Sequence, residues 1–250
     1  MLGLPDDIRG CLFDLDGVLT QTAKVHAAAW KQMFDEFLQC RADREGEAFV
    51  PFDAGADYNE YVDGKPRYEG VRSFLESRGI QLPDGSPDDP PSAETIDGLG
   101  NRKNELVLEL IERDGVDAYE GSIRYVKAVR DAGLRRAVVS SSTNCRDVLE
   151  AAGMLDLFEE IVDGNVARDE RLKGKPAPDT FLAGARKLGL DAAQSVVFED
   201  AVAGVEAGRA GAFGFVVGVD RVGHADALRA HGADVVVQDL AELLDGQDPS

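Results

Sequence analysis

Five short apolar runs recur along the chain: CLFD (11–14), LRRAVVS (134–140), SVVFED (195–200), AFGFVVGV (212–219) and ADVVV (233–237). Between them lie helix-like stretches near 121–132, 145–152, 178–188, 201–210 and 224–231. Gly133, Gly153 and Gly189 stand where helix C-caps belong. Apolar strands that alternate with helices predict an α/β fold, a parallel sheet covered on both faces. The glycine-rich stretch GVEAGRAGAFG (204–214) lacks the G-x-G-x-x-G spacing and precedes a strand, so it reads as a helix packed closely on the sheet and not as a dinucleotide loop.

Residues 23–115 break the rhythm. From Val25 the apolar positions 25, 29, 33 and 37 recur every fourth residue, which marks a helix. Beyond Phe37 the chain reads as acid- and glycine-rich loops, and PDGSPDDPPS (83–92), with four of the ten prolines, as an extended loop. A helix bearing Leu106, Val107, Leu110 and Ile111 then stops at Gly115. The pattern predicts a helical domain at 23–115, inserted into a core formed by 1–22 and 116–250.

Composition narrows the setting. A chain of 250 residues, 44% hydrophobic, builds a core without disulfide support. Cys11, Cys40 and Cys145 lack metal-ligand spacing and point to a reducing compartment. MLGLPDDIRG does not read as a signal peptide, and no apolar run approaches the roughly 20 residues of a membrane helix. A cytoplasmic, soluble monomer is expected. The net charge of -20 repels nucleic acid and anionic membrane, so neither is an expected partner. It also repels phosphorylated metabolites, unless positive charge is gathered at one site.

The strand ends supply such a site. The first apolar run ends in Asp14, the second in Ser140, the third in Glu199-Asp200. In an open parallel sheet the ligand lies beyond the carboxyl ends of the strands. LKGKPAPD (172–179) adds Lys175, held before Pro176 as a point charge for phosphate. The carboxylates invite a hard cation; Mg2+ fits, because it takes one or two carboxylates and leaves room for phosphate oxygens. A phosphate monoester carries about -2, and Asp14, Glu199 and Asp200 about -1 each. A divalent metal and Lys175 return about +3, and backbone N–H groups must meet the rest. Asp14 and Asp16, two residues apart, point the same way if the strand geometry persists. Asp14 is then the nucleophile. Asp16 is the general acid/base, with its pKa raised by burial and neighbouring charge. Gly17 turns the chain out of the strand.

These motifs, Asp14-Leu15-Asp16-Gly17-Val18, Ser140, Lys175 in GKPAPD and Glu199-Asp200, resemble in order those of the haloacid dehalogenase superfamily of phosphoryl-transfer enzymes. The resemblance implies a Rossmann-like core with an inserted helical cap and an aspartyl-phosphate on Asp14. It implies a metal held by the Asp14 and Asp200 side chains and the Asp16 carbonyl, with Glu199 acting directly or through water. Asp16 argues against the dehalogenase branch, which lacks it. Within the superfamily, Thr20-Gln21-Thr22-Ala23, His26 and Ala29-Trp30-Lys31 resemble the start of the β-phosphoglucomutase cap. GKPRYEGVRSFL (64–75) resembles that family's substrate-specificity loop, with Arg67 at its phosphate-binding arginine; NRKN (101–104) also matches. SSSTN (140–144) resembles the segment that binds phosphate and sugar hydroxyls. The substrate-binding set so implied is Thr22, His26, Trp30, Lys65, Arg67, Ser140, Ser141, Ser142, Thr143, Asn144 and Lys175. Two positions depart from the pattern: Gln21 stands where an acid is usual, and Asp63 where a lysine is, with Lys65 shifted by two. His224 and His231 read as ordinary helix residues.

The resemblance implies a Mg2+-dependent mutase acting on a small phosphorylated sugar, β-glucose 1-phosphate, with glucose 1,6-bisphosphate as intermediate and activator. Cap closure would exclude water and favour transfer over hydrolysis. The alternatives are a sugar-phosphate phosphatase of the same fold and, more remotely, a non-catalytic binding module.

Overall fold

The computed structural model describes residues 2–244; Met1 and residues 245–250, which the expected core includes, lie outside the described residues. The chain divides into two compact units, Met1–Gln21 with Val116–Ser250, and Thr22–Gly115.

The first unit is built on six parallel strands: β1 (Gly10–Phe13), β2 (Arg135–Val139), β3 (Glu160–Val162), β4 (Ser195–Glu199), β5 (Phe215–Val219) and β6 (Val235–Val237). Their spatial order is β3-β2-β1-β4-β5-β6. The chain walks outward from β1 to β3 and then returns to β4 on the other side of β1. The crevice at the carboxyl ends of β1 and β4 is therefore the topological switch point, where doubly wound sheets bind ligands. The first helix of the other unit is α1 (Ala23–Glu45), followed by α2 (Arg67–Ser77) and α3 (Ile96–Asp114). The sheet carries α4 (Glu120–Asp131), α5 (Cys145–Ala151), α6 (Gly164–Asp169), α7 (Asp179–Lys187), α8 (Val202–Ala210) and α9 (Ala225–Ala230).

Both faces of the sheet are covered, as its apolar strands require. Successive strand residues point to opposite faces. Leu12 packs with Phe181 of α7 and Ala207 of α8. Phe13 stacks on Phe198, ring centroids 4.4 Å apart, and meets Tyr125 of α4 edge-on. In α4 the buried residues Ser122, Tyr125, Val126 and Val129 fall at helical spacing. The stretch at 204–214 is α8 and the turn after it, as expected. Gly204 there lies so close to Glu199 that a Cβ would collide with its carboxylate.

The strand β3 was not anticipated. It has three residues and acids before and after it, too short for periodicity to register. The Thr22–Gly115 unit is helical, but two details differ from expectation. α1 does not give way to loops at Phe37; it runs on to Glu45, its polar extension carrying the i,i+4 pairs Gln39–Asp43 and Arg41–Glu45. The loop-like segment 64–75 is mostly α2, which buries Val71, Phe74 and Leu75 at helical spacing. This unit has its own aromatic core: Phe34 lies against Trp30, Phe52 and Phe74, with centroids 5.3, 5.1 and 4.2 Å away. No helix among the described residues is long and apolar enough to cross a membrane.

Candidate active site

The strand β1 ends one residue before Asp14, yet the ladder continues: the Asp14 N–H donates to the Phe198 carbonyl at 2.9 Å. Asp14 is thereby set beside the end of β4, whose last residue is Glu199 and which Asp200 follows. One carboxylate oxygen from each of Asp14, Glu199 and Asp200 lies within 4.8 Å of the others. Asp14 and Glu199 are buried. The extended geometry does not persist to Asp16. Leu15 bends the chain, and Asp16 forms an isolated bridge with Thr20 inside a tight turn in which the Gly17 N–H donates to the Thr20 carbonyl. Gly17 takes φ +83°, and a Cβ there would strike the Asp200 carboxylate. The two acid-bearing loops thus touch where only glycine fits.

Lys175 closes the cluster from below. It is 2% exposed, and its ammonium bonds Asp14 Oδ1, Glu199 Oε1 at 2.5 Å and the Val139 carbonyl at 3.4 Å. An ammonium has three protons, and all three are engaged. Lys175 therefore ties the two buried acids together before it can serve a phosphate, which periodicity could not foretell. Burial opposes its charge, but Asp14 and Glu199 outweigh burial and hold its pKa above the ordinary lysine value. Burial raises the Asp14 carboxyl; Lys175 pulls it down, and Glu199 and Asp16 push it up again, leaving it well above the usual range. A divalent cation among these acids acts in the opposite sense. The donors are hard oxygens at the spacing of a shared ligand set, which suits such a cation and not zinc's nitrogen and sulfur preference. Glu199 has less to offer it, since Oε2 already accepts from the Ala201 N–H at 2.8 Å.

The segment 140–144 leaves β2 as a chain of hydroxyl turns. The Ser140 Oγ accepts from the Ser142 N–H at 3.0 Å, and the Ser142 Oγ from the Asn144 N–H at 3.2 Å. Ser140 is buried and its own N–H donates to the Val162 carbonyl. Asn165 anchors the Thr143 carbonyl at 2.8 Å. Ser141 lies within this segment, half-buried.

In the helical unit, Thr22 is buried and its carbonyl accepts the His26 N–H, starting α1. His26 Nδ1 lies 2.7 Å from the Lys103 ammonium, whose nitrogen sits 4.9 Å from the centre of the Trp30 ring. A lysine ammonium only donates, so Nδ1 accepts and Nε2 carries the proton. Lys103, buried on α3, thus contacts two residues of the expected set; the sequence reading included it only within the NRKN match. Arg67 opens α2, bonded to the Tyr68 hydroxyl at 3.1 Å, which in turn donates to Asn101 at 2.9 Å. Lys65 bonds Ser73 at 3.0 Å, and burial lowers its pKa against the pull of Glu69 and Glu60.

His224 is not the ordinary helix residue expected. It stands at the start of α9, and its Nε2 bonds the Asp200 carbonyl at 2.8 Å. His231, at the other end of α9, lies 2.7 Å from Glu206 on the surface.

Known proteins resemble this chain in sequence and fold. Residues 8–212 match the haloacid dehalogenase-like hydrolase family. A β-phosphoglucomutase of Mycobacterium tuberculosis is 59% identical over 247 residues, covering 98% of this chain and 94% of that protein. The β-phosphoglucomutase of Bacillus subtilis is 31% identical over 94% of this chain and 92% of its own length. The crystal structure of a β-phosphoglucomutase from Clostridium difficile superposes with a TM-score of 0.73 at 27% identity, covering 94% of this chain and 93% of that one. With the switch-point acids, the buried lysine and the helical insert in place, the chain belongs to the haloacid dehalogenase-like hydrolase family and, within it, to the β-phosphoglucomutase family of phosphoryl-transfer enzymes.

Proposed function

We propose that this enzyme interconverts β-D-glucose 1-phosphate and glucose 6-phosphate, with glucose 1,6-bisphosphate as intermediate and activator. The observation that carries the reading is the buried pairing of Asp14 with Lys175 at the head of β1, beside Glu199 and Asp200. Asp14 and Asp200, with the Asp16 carbonyl and Glu199 directly or through water, would hold Mg2+, which supplies charge neutralisation for the phosphoryl oxygens.

Asp14 carries the phosphoryl group. Phosphorylated Asp14 donates it to the sugar's free hydroxyl, whose proton passes to Asp16. The bisphosphate then binds the other way round. Asp14 attacks its second phosphorus, the P–O bond to the sugar breaks, and Asp16 returns the proton to the leaving oxygen. Lys175 offsets the negative charge that Asp14 and Glu199 bring to this site. The hydroxyls of Ser140, Ser141, Ser142 and Thr143, with the side-chain amide of Asn144, take phosphate and sugar oxygens.

Residues 1–22 and 116–250 form the phosphoryl-transfer core in this reading, and 23–115 the cap. A mutase must grip a bisphosphate at both ends. Arg67, at the first turn of an eleven-residue helix, combines a guanidinium fork with the helix N-terminus and suits the second phosphate. Lys65, Thr22, His26 and Trp30 complete the cap's contribution. The test supplies β-glucose 1-phosphate, Mg2+ and a trace of glucose 1,6-bisphosphate and follows glucose 6-phosphate and free phosphate together. Glucose 6-phosphate as the main product supports the reading. Stoichiometric free phosphate assigns a phosphatase, and neither product a binding module.

A further inference from the structure

The loop that follows β5 reaches back to both acid-bearing loops, and none of its residues belongs to the acid set. Asp220 organises it. Its side chain, 8% exposed, accepts the N–H groups of Val222, Gly223 and His224 on one oxygen, at 3.2, 2.7 and 2.9 Å, and that of Ala225 on the other at 3.1 Å. Its own N–H donates to the Val237 carbonyl at 2.8 Å, which ties the loop to β6. From this frame two side chains project. His224 Nε2 bonds the Asp200 carbonyl at 2.8 Å; a carbonyl only accepts, so Nε2 bears the proton. Arg221 Nε donates to the Gly17 carbonyl at 3.0 Å. The guanidinium is held from three further directions: Gln238 at 2.6 Å, Asp239 at 3.3 Å, and the Tyr119 ring, whose centre lies 3.6 Å away.

We propose that the 220–224 loop is a positioning device for the cation site: His224 fixes Asp200 and Arg221 fixes the Asp14–Gly17 turn, so that carboxylates from two strands keep one spacing. The inference rests on the reading of Asp14, Glu199 and Asp200 as cation ligands. Its physical basis is that three acids within 4.8 Å of one another repel. Lys175 bridges the side chains of Asp14 and Glu199, but it does not hold the backbone of the Asp200 loop or of the Asp14–Gly17 turn, which can still relax apart under repulsion. A common anchor on a third strand opposes that relaxation and keeps the ligand set preorganised. Arg221 and His224 act through the Gly17 and Asp200 carbonyls; they are positioning residues.

The test is Mn2+ binding to the full-length protein, measured by electron paramagnetic resonance with Mn2+ alone as the probe and at a temperature where each variant's melt shows it folded. His224→Leu and Arg221→Met are expected to raise the Mn2+ Kd about tenfold or more. His224→Gln, whose amide N–H reaches the same carbonyl, is expected to stay near wild type. If His224→Leu does not fold, His224→Asn, too short to reach Asp200, replaces it with the same expectation. An unchanged Kd in folded His224→Leu or His224→Asn overturns the proposal, as does a His224→Gln as weak as the leucine variant. Asp200→Asn separates the two readings. If it weakens Mn2+ binding while His224→Leu does not, the ligand assignment stands and the loop's role falls. If Asp200→Asn leaves Mn2+ binding intact, the ligand assignment falls and the loop's role with it.

Discussion

At the scale of single residues, the decisive feature is a lysine without solvent. Lys175 is shielded from water and bonded to two acids that are themselves buried. Removing one partner of a buried ion pair strands the other charges, at a cost of about 3–5 kcal/mol. Lys175→Met is therefore expected to lower unfolding free energy by about that amount and to abolish turnover. Urea denaturation checks the first and the coupled product assay the second; a stable variant would show the acids to be relieved by some other group. The acids were legible in the sequence as polar residues at the ends of apolar runs, and this lysine as the residue held before Pro176 in LKGKPAPD. What they bond was not. Whether Lys175 faces a phosphate or two carboxylates depends on the register of β1 against β4, which no local pattern encodes. His224 was illegible for the same reason: its partner lies just beyond a different strand, β4, 24 positions earlier in the chain.

At the scale of elements, the long apolar strands and amphipathic helices were readable because each has enough residues to display its period. β3 was not, with three residues, and neither was the polar end of α1, where only Leu38 and Ala42 are buried and the i,i+4 side-chain pairs carry no hydrophobic period. α2 carried its apolar spacing in plain view, but a preceding Gly-Lys-Pro and the likeness to a loop obscured it. Phe34 joins α1 to its neighbours through two aromatic contacts, with Phe52 and with Phe74 of α2. Phe34→Ala is expected to cost about 3–5 kcal/mol, read as faster amide exchange in α1, α2 and α3. Uniform exchange across the whole chain would show that the helical unit does not open separately.

The 220–224 loop makes its own prediction. Burial would raise the Asp220 carboxyl, but the N–H groups of His224, Gly223 and Val222 outweigh it and hold it below the usual range. A carboxyl depressed in the folded state contributes stability above its unfolded pKa of about 3.9, and that stability is lost as pH falls through the lower folded value. Asp220→Asn is thus expected to lower Tm at neutral pH, with the gap to wild type narrowing below about pH 4. Melting curves across that range check it; a constant gap would contradict the linkage.

At the scale of the whole molecule, a chain of net charge -20 must handle a dianion. The reading gathers positive charge in two places, Lys175 with the cation in the core and Arg67 in the helical unit. A hydrolase needs only the first. Arg67→Ala is accordingly expected to reduce mutase turnover far more than any residual phosphate release, and equal losses would remove the case for a second anion site.

The most direct measurement is of Asp14 itself. The protein, incubated with Mg2+ and glucose 1,6-bisphosphate carrying labelled phosphate, is quenched in acid, digested and examined by mass spectrometry. The account predicts label on the peptide that contains Asp14, and none after Asp14→Asn. Label on another residue, or product formed by the Asp14→Asn protein at the wild-type rate, would contradict it.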